Sequence, residues 1–184
     1  MVYPMTVAGL KRELPICKVN DNLYIAGFVI LGDQELTVAC ARELLAKAPE
    51  YDYIITAEAK GIPLAHEMAR QRGAAKYFLA RKGPKLNMTG VFDSSVKSIT
   101  TAKEQKLYLD TADAALMKGK KILIVDDVIS TGESLLALVA LVEKAGGIIA
   151  GRMAVLAEGD AQDREDQIYL EKLPLFHPDG TIME

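Results

Sequence analysis

Apolar residues along this chain recur with two alternating periods, and the alternation sets out the elements. From Glu35 to Ala48 they return every three or four positions, with Leu36, Ala39, Cys40, Leu44 and Leu45 on one face, which predicts an amphipathic helix. Short runs at Tyr53–Thr56 and Lys76–Ala80 predict strands, with a helical pattern between them at Leu64–Arg72. Ile122–Val125 is an unbroken apolar run of the kind that forms a buried strand. Leu135–Val142 reads as a helix and Ile148–Leu156 as another buried strand. Before Glu35 the chain reads as polar and extended, although Tyr24–Leu31 is an apolar stretch expected to be exposed and to cover a ligand or a partner surface. Gln105–Asp110 has strand character, Ala112–Met117 reads as a turn, and the tail closes on Leu173-Pro174-Leu175-Phe176.

Strands that alternate with helices predict an α/β fold: one domain over 1–184 with a mainly parallel central sheet flanked by helices. Ligands of such sheets sit at the carboxyl ends of the strands. Arg81–Thr101 breaks the alternation. It is rich in Gly, Ser, Lys and Thr, poorly periodic and too long for a plain connection, which predicts a mobile hood within the domain.

Half of the 184 residues are apolar, enough for one sizeable core. A net charge of −3 with no basic run argues against a nucleic-acid binder. No run reaches about 18 apolar residues and the first residues lack signal-peptide order, so no membrane partner and a cytoplasmic location are expected. Cys17 and Cys40 lack metal-type or redox-type spacing and are expected to be buried, reduced thiols. His66 and His177 share no ligand-like spacing, which argues against a structural zinc site.

The chemistry concentrates in Ile122–Ser134, ILIVDDVISTGES. Asp126 and Asp127 are expected where the apolar strand ends, Thr131-Gly132 make the turn, and Ser134 opens the next helix. In a strand–turn–helix unit the first-turn N–H groups and the positive end of the helix dipole converge on one point, which favours a phosphate. Gly132 lets the backbone come close, and Thr131 and Ser134 add hydroxyl donors. Paired carboxylates would repel a phosphate and suit vicinal hydroxyls or a Mg²⁺-bound sugar. The combination predicts a sugar phosphate. Neither G-x-x-x-x-G-K-[ST] nor G-x-G-x-x-G occurs.

This segment resembles the phosphoribosyl-pyrophosphate motif of type I phosphoribosyltransferases, in which an apolar strand leads to two acids, two apolar residues and x-T-G-x-[ST]. Two further clusters are similar to the adenine and xanthine members. Thr56-Ala57-Glu58-Ala59-Lys60-Gly61 looks like the pyrophosphate loop E-A-R-G, with Lys60 in place of arginine, which keeps the charge and loses the bidentate fork. Arg81-Lys82-Gly83-Pro84-Lys85-Leu86 resembles R-K-x-x-K-L at the start of the hood. The resemblance spans about Leu36 to Phe176. It implies that Ser130, Thr131, Gly132, Glu133 and Ser134 hold the 5-phosphate and that Asp126 and Asp127 address the ribose hydroxyls. Lys60, Gly61, Arg81, Lys82 and Lys85 would then meet the pyrophosphate. It also implies Mg²⁺ bound mainly through the substrate, a purine base as second substrate, and a homodimer.

The base is approached from three positions. Ser130 stands where hypoxanthine-guanine enzymes carry an acid two residues before the glycine. Thr100-Thr101 replaces the hood Glu-Tyr pair of adenine enzymes, and Ser95-Val96-Lys97-Ser98-Ile99-Thr100 looks like the S-V-x-S-[aromatic]-T stretch of xanthine enzymes. After Ile148–Leu156 the xanthine enzymes carry Glu-Lys, whose lysine donates to an oxo group, whereas this chain has Ala157-Glu158. A carboxylate accepts from an exocyclic amine, so Glu158 favours adenine. The expectation is an adenine-type purine phosphoribosyltransferase; the alternatives are a xanthine or other base enzyme, or a non-enzymatic sensor of phosphoribosyl pyrophosphate.

Overall fold

The computed structural model describes residues 1–97 and 104–183. In chain order the elements are β1 (Val2–Val7), β2 (Leu10–Lys18), β3 (Tyr24–Ala26), α1 (Gln34–Lys47), β4 (Tyr53–Ala57), α2 (Ile62–Arg72), β5 (Phe78–Ala80), β6 (Val91–Lys97), β7 (Glu104–Asp110), α3 (Thr111–Met117), β8 (Lys121–Ile129), α4 (Glu133–Lys144), β9 (Ile148–Glu158), β10 (Ile168–Leu173) and β11 (Leu175–Phe176). A central sheet in the order β10-β9-β8-β4-β5 is parallel throughout. The crossovers β4–α2–β5 and β8–α4–β9 supply helices, as the alternating periods require. On β8, Leu123 and Val125 pack with α1, α2 and the N-terminal strands, while Ile122 and Ile124 pack with α4. Period-two burial on both faces explains why this strand reads as a continuous apolar run.

The N-terminal part is not merely extended: β1, β2, β3 and β11 form a second, antiparallel sheet. Tyr24–Leu31 is accordingly half core and half surface. Ala26, Phe28 and Ile30 are buried, whereas Val29 and Leu31 are exposed. Arg12 of β2 fixes this sheet to α1 by donating from Nε and Nη2 to the Asp33 carboxylate at 2.7 and 3.0 Å. Asp33 also caps α1, accepting from the Leu36 amide at 3.0 Å. Cys40 is buried as expected, but Cys17 is exposed, because on β2 it alternates away from the inward-facing Leu14 and Ile16.

The segment expected as a structureless hood contains a strand. Val91–Lys97 pairs antiparallel with Glu104–Asp110 in register from Val91↔Asp110 to Lys97↔Glu104. This hairpin lies over α4, where Phe92 and Val96 meet the second core cluster and Lys144 reaches Asp93. Ser98, Ile99, Thr100 and Thr101, which entered the reading of the base, lie outside the described residues. Ala112–Met117 belongs to α3 rather than to a turn, because the Asp110 side chain caps it, accepting from the Ala112 amide at 3.0 Å. No helix among the described residues is long and apolar enough to cross a membrane.

Candidate active site

The acidic pair stands inside β8, not at its end. Pairing of β8 with β4 stops at Ile55↔Ile124, but pairing with β9 continues to Ile129↔Ala157. Asp126 and Asp127 therefore occupy the one-sided stretch where β4 has already turned away. The carboxylates face the gap that opens there, and the β-branched Val128 and Ile129 continue the strand because β9 still supplies a ladder.

The loop after β4 fills the gap from the other side. Lys60 Nζ lies 3.0 Å from Asp127 Oδ2, and Asp127 is only 3% exposed. Asp126 Oδ1 accepts the Asp127 amide at 2.9 Å. Burial and the neighbouring Asp127 charge push the Asp126 carboxyl up to about 7, against the pull of the Lys60 cation and the Asp127 amide. Gly61 makes the close approach possible, since a Cβ there would come within 2.1 Å of Thr56 Oγ1 and 3.2 Å of Asp126 Oδ1. The Thr56 hydroxyl is buried without a hydrogen-bond partner among the described residues.

Glu58, on the same loop, gathers the start of the hood segment. Its Oε2 accepts the Lys82 amide at 2.9 Å and its Oε1 pairs with Arg81 Nε. The Lys82 amide, followed by the Arg81 charge, holds the Glu58 carboxyl below its ordinary range, with Lys85 adding a weaker pull. Arg81 also exchanges two backbone hydrogen bonds with Tyr108, at 2.8 and 2.9 Å, which ties it to the hairpin. In the sequence Glu58 and Thr56 stand out only as parts of a motif. Thr56 near the carboxyl end of the buried strand β4 and Glu58 directly after it are both placed by that end of the strand, which is the signal that could have found them.

Beyond β8, Ser130 and Thr131 are exposed, and Gly132 adopts φ of 78°, a left-handed conformation that favours glycine. Gly132 is the N-cap of α4 and, being glycine, has no side chain to cap it. The positive end of the α4 dipole faces this turn, which favours an anion there. Glu158 is the last residue of β9. It is half-buried, which raises its carboxyl above the ordinary range, and the Lys60 charge works against that rise. Lys60, Gly61, Asp126, Asp127 and Glu158 consequently share one region at the carboxyl ends of β4, β8 and β9. Arg81, Lys82 and Lys85 form a neighbouring group around Glu58. Such a site can take a polyanion at its cationic rim and hydroxyl groups at its carboxylates.

The family profile described as the phosphoribosyl transferase domain matches residues 30–174. A hypoxanthine/guanine phosphoribosyltransferase of Methanothermococcus okinawensis is 32% identical over 157 residues, covering 83% of this chain and 81% of that protein. One from Methanosalsum zhilinae is 36% identical over 150 residues, covering 79% and 75%. Among solved structures, the adenine phosphoribosyltransferase of Thermoanaerobacter pseudethanolicus superposes with a TM-score of 0.64 at 23% identity, covering 94% of this chain and 95% of that one. At that identity the structural likeness speaks for the fold.

Proposed function

Because the chain belongs to the phosphoribosyl transferase family, we propose that it moves ribose 5-phosphate from phosphoribosyl pyrophosphate to a ring nitrogen of a purine base. The bond from C1 of the ribose to pyrophosphate breaks, a bond from C1 to the base nitrogen forms, and the base gives up a proton. The observation that carries this reading is the pair Asp126 and Asp127, held beside Lys60 and just ahead of the N-terminus of α4. The α4 amides with Thr131 and Ser134 take the 5-phosphate, the two carboxylates take the ribose hydroxyls, and Lys60 with the Gly61 backbone takes the pyrophosphate. Arg81, Lys82 and Lys85 add positive charge at the leaving-group end. Positive charge develops on the sugar and negative charge on pyrophosphate in the transition state, so fixed charges of opposite sign at the two ends lower the barrier.

The donor set fits a Mg²⁺ that arrives on the pyrophosphate. Asp126 and Asp127 offer hard oxygen ligands, and no group of three or more His, Cys, Asp or Glu among the described residues is placed to hold a metal. When bound, Mg²⁺ supplies charge neutralisation to the leaving group.

For the base we propose adenine, supported by Glu158, whose carboxylate accepts from an exocyclic amine. A second reading, an oxopurine such as hypoxanthine or guanine, is favoured by the names of the relatives that are 32% and 36% identical. Initial rates with adenine, hypoxanthine, guanine and xanthine separate the two readings. Glu158→Lys should cost adenine about 1–3 kcal/mol of transition-state binding and ease entry of an oxopurine. An unchanged adenine-to-oxopurine ratio in that variant would remove Glu158 from the base site.

A further inference from the structure

Arg164 lies outside every motif in the sequence, in the connection between β9 and β10, yet it reaches the turn before α4. Its Nε donates to Asp166 Oδ1 at 2.9 Å and its Nη2 to Asp166 Oδ2 at 2.7 Å. Nη1, on the other edge of the guanidinium, stands so close to Gly132 that a Cβ there would come within 2.8 Å of it. Asp166 is also paired with Arg152 Nη1. Two guanidinium groups share one carboxylate, so the cluster keeps a net positive charge, and Arg164 carries it to Gly132.

We propose that Arg164 is a further substrate-binding residue, donating from Nη1 to the phosphate group held by residues 130–134, with Asp166 and Arg152 fixing its orientation. The proposal rests on the reading above that this loop takes the 5-phosphate. A planar guanidinium suits the task because one edge is anchored on Asp166 while the other remains aimed at the loop, which a lysine cannot reproduce. Gly132 supports the contact twice. Its left-handed φ forms the turn, and its missing side chain leaves room for Nη1 beside the backbone.

The test is calorimetric titration of the full chain and its variants with ribose 5-phosphate, with pyrophosphate, and with phosphoribosyl pyrophosphate plus Mg²⁺. Arg164→Gln should weaken ribose 5-phosphate about tenfold or more, as expected for loss of a charge-assisted contact. Pyrophosphate affinity should stay at the wild-type value, which also shows that the variant is folded. Arg164→Lys, keeping the charge without the fork, should fall between wild type and Arg164→Gln. Wild-type affinity for ribose 5-phosphate in Arg164→Gln, or equal losses for ribose 5-phosphate and pyrophosphate, overturns the assignment alone. A wild-type chain that binds none of the three ligands overturns the assignment together with the function it rests on.

Discussion

Gly61→Ala puts the construction of the site under direct strain. The added Cβ would lie 2.1 Å from Thr56 Oγ1, 3.2 Å from Asp126 Oδ1 and 3.4 Å from Thr56 Cβ. Thr56 is fully buried on β4 in the middle of the sheet, so its side chain has no open space to enter. Overpacking of this kind costs about 1–3 kcal/mol. With a urea slope of about 1–3 kcal/mol per molar, the unfolding midpoint should drop by about 1 M. Thr56→Ala removes the offending hydroxyl, which has no hydrogen-bond partner to lose among the described residues, and leaves the new Cβ near-normal contacts. The double variant Gly61→Ala/Thr56→Ala should therefore be no less stable than Thr56→Ala alone. Urea unfolding of wild type, both single variants and the double variant gives the coupling energy. A Gly61→Ala midpoint equal to wild type, or effects that add to within about 0.5 kcal/mol, would refute the close approach of the loop to Thr56 of β4.

Three other outcomes follow from the same geometry. Asp126→Asn and Asp127→Asn should leave the fold intact and lower kcat/KM at least about tenfold, about 1.4 kcal/mol, and near-wild-type turnover in both would remove the acidic pair from the reaction. Because the folded chain lifts Asp126 to about 7, it retains a proton that the unfolded chain has already released. Stability should thus fall as pH rises from about 4 to about 7. Urea midpoints for wild type should show this fall relative to Asp126→Asn over about pH 4 to 7, and parallel curves would contradict it. We also propose that the hood start responds to ligand. Trypsin should cut after the exposed Lys82 or Lys85, and phosphoribosyl pyrophosphate with Mg²⁺ should slow it, whereas equal rates would exclude closure over the ligand.

Much of the scaffold is legible in the sequence because strong local periods and tertiary burial agree there. The α1 helix and β8 are both set by apolar spacing, and the parallel sheet follows from alternation of the two periods. The extent of β8 was harder to read, since Asp126 and Asp127 end the apolar run while the β9 ladder carries the strand on to Ile129. The strand β6 was hidden for a related reason. Its inward Phe92 and Val96 are separated by Asp93, Ser94 and Ser95, residues that locally favour turns, and the strand depends on β7 and α4 for its packing. The acidic pair and the α4 turn could be found because they are contiguous in the chain. That Lys60 pairs with Asp127, or that Arg164 touches Gly132, depends on how β4 and β9 are laid beside β8, and no local spacing carries that information.

The central claim is base-dependent transfer of ribose 5-phosphate, and a panel of purines with phosphoribosyl pyrophosphate and Mg²⁺ tests it most directly. Nucleotide and pyrophosphate are quantified together for adenine, hypoxanthine, guanine and xanthine. The account predicts equal amounts of nucleoside monophosphate and pyrophosphate from at least one purine, with adenine turned over fastest. Tight binding of phosphoribosyl pyrophosphate with no nucleotide formed from any base would contradict it and leave a sensor in place of an enzyme.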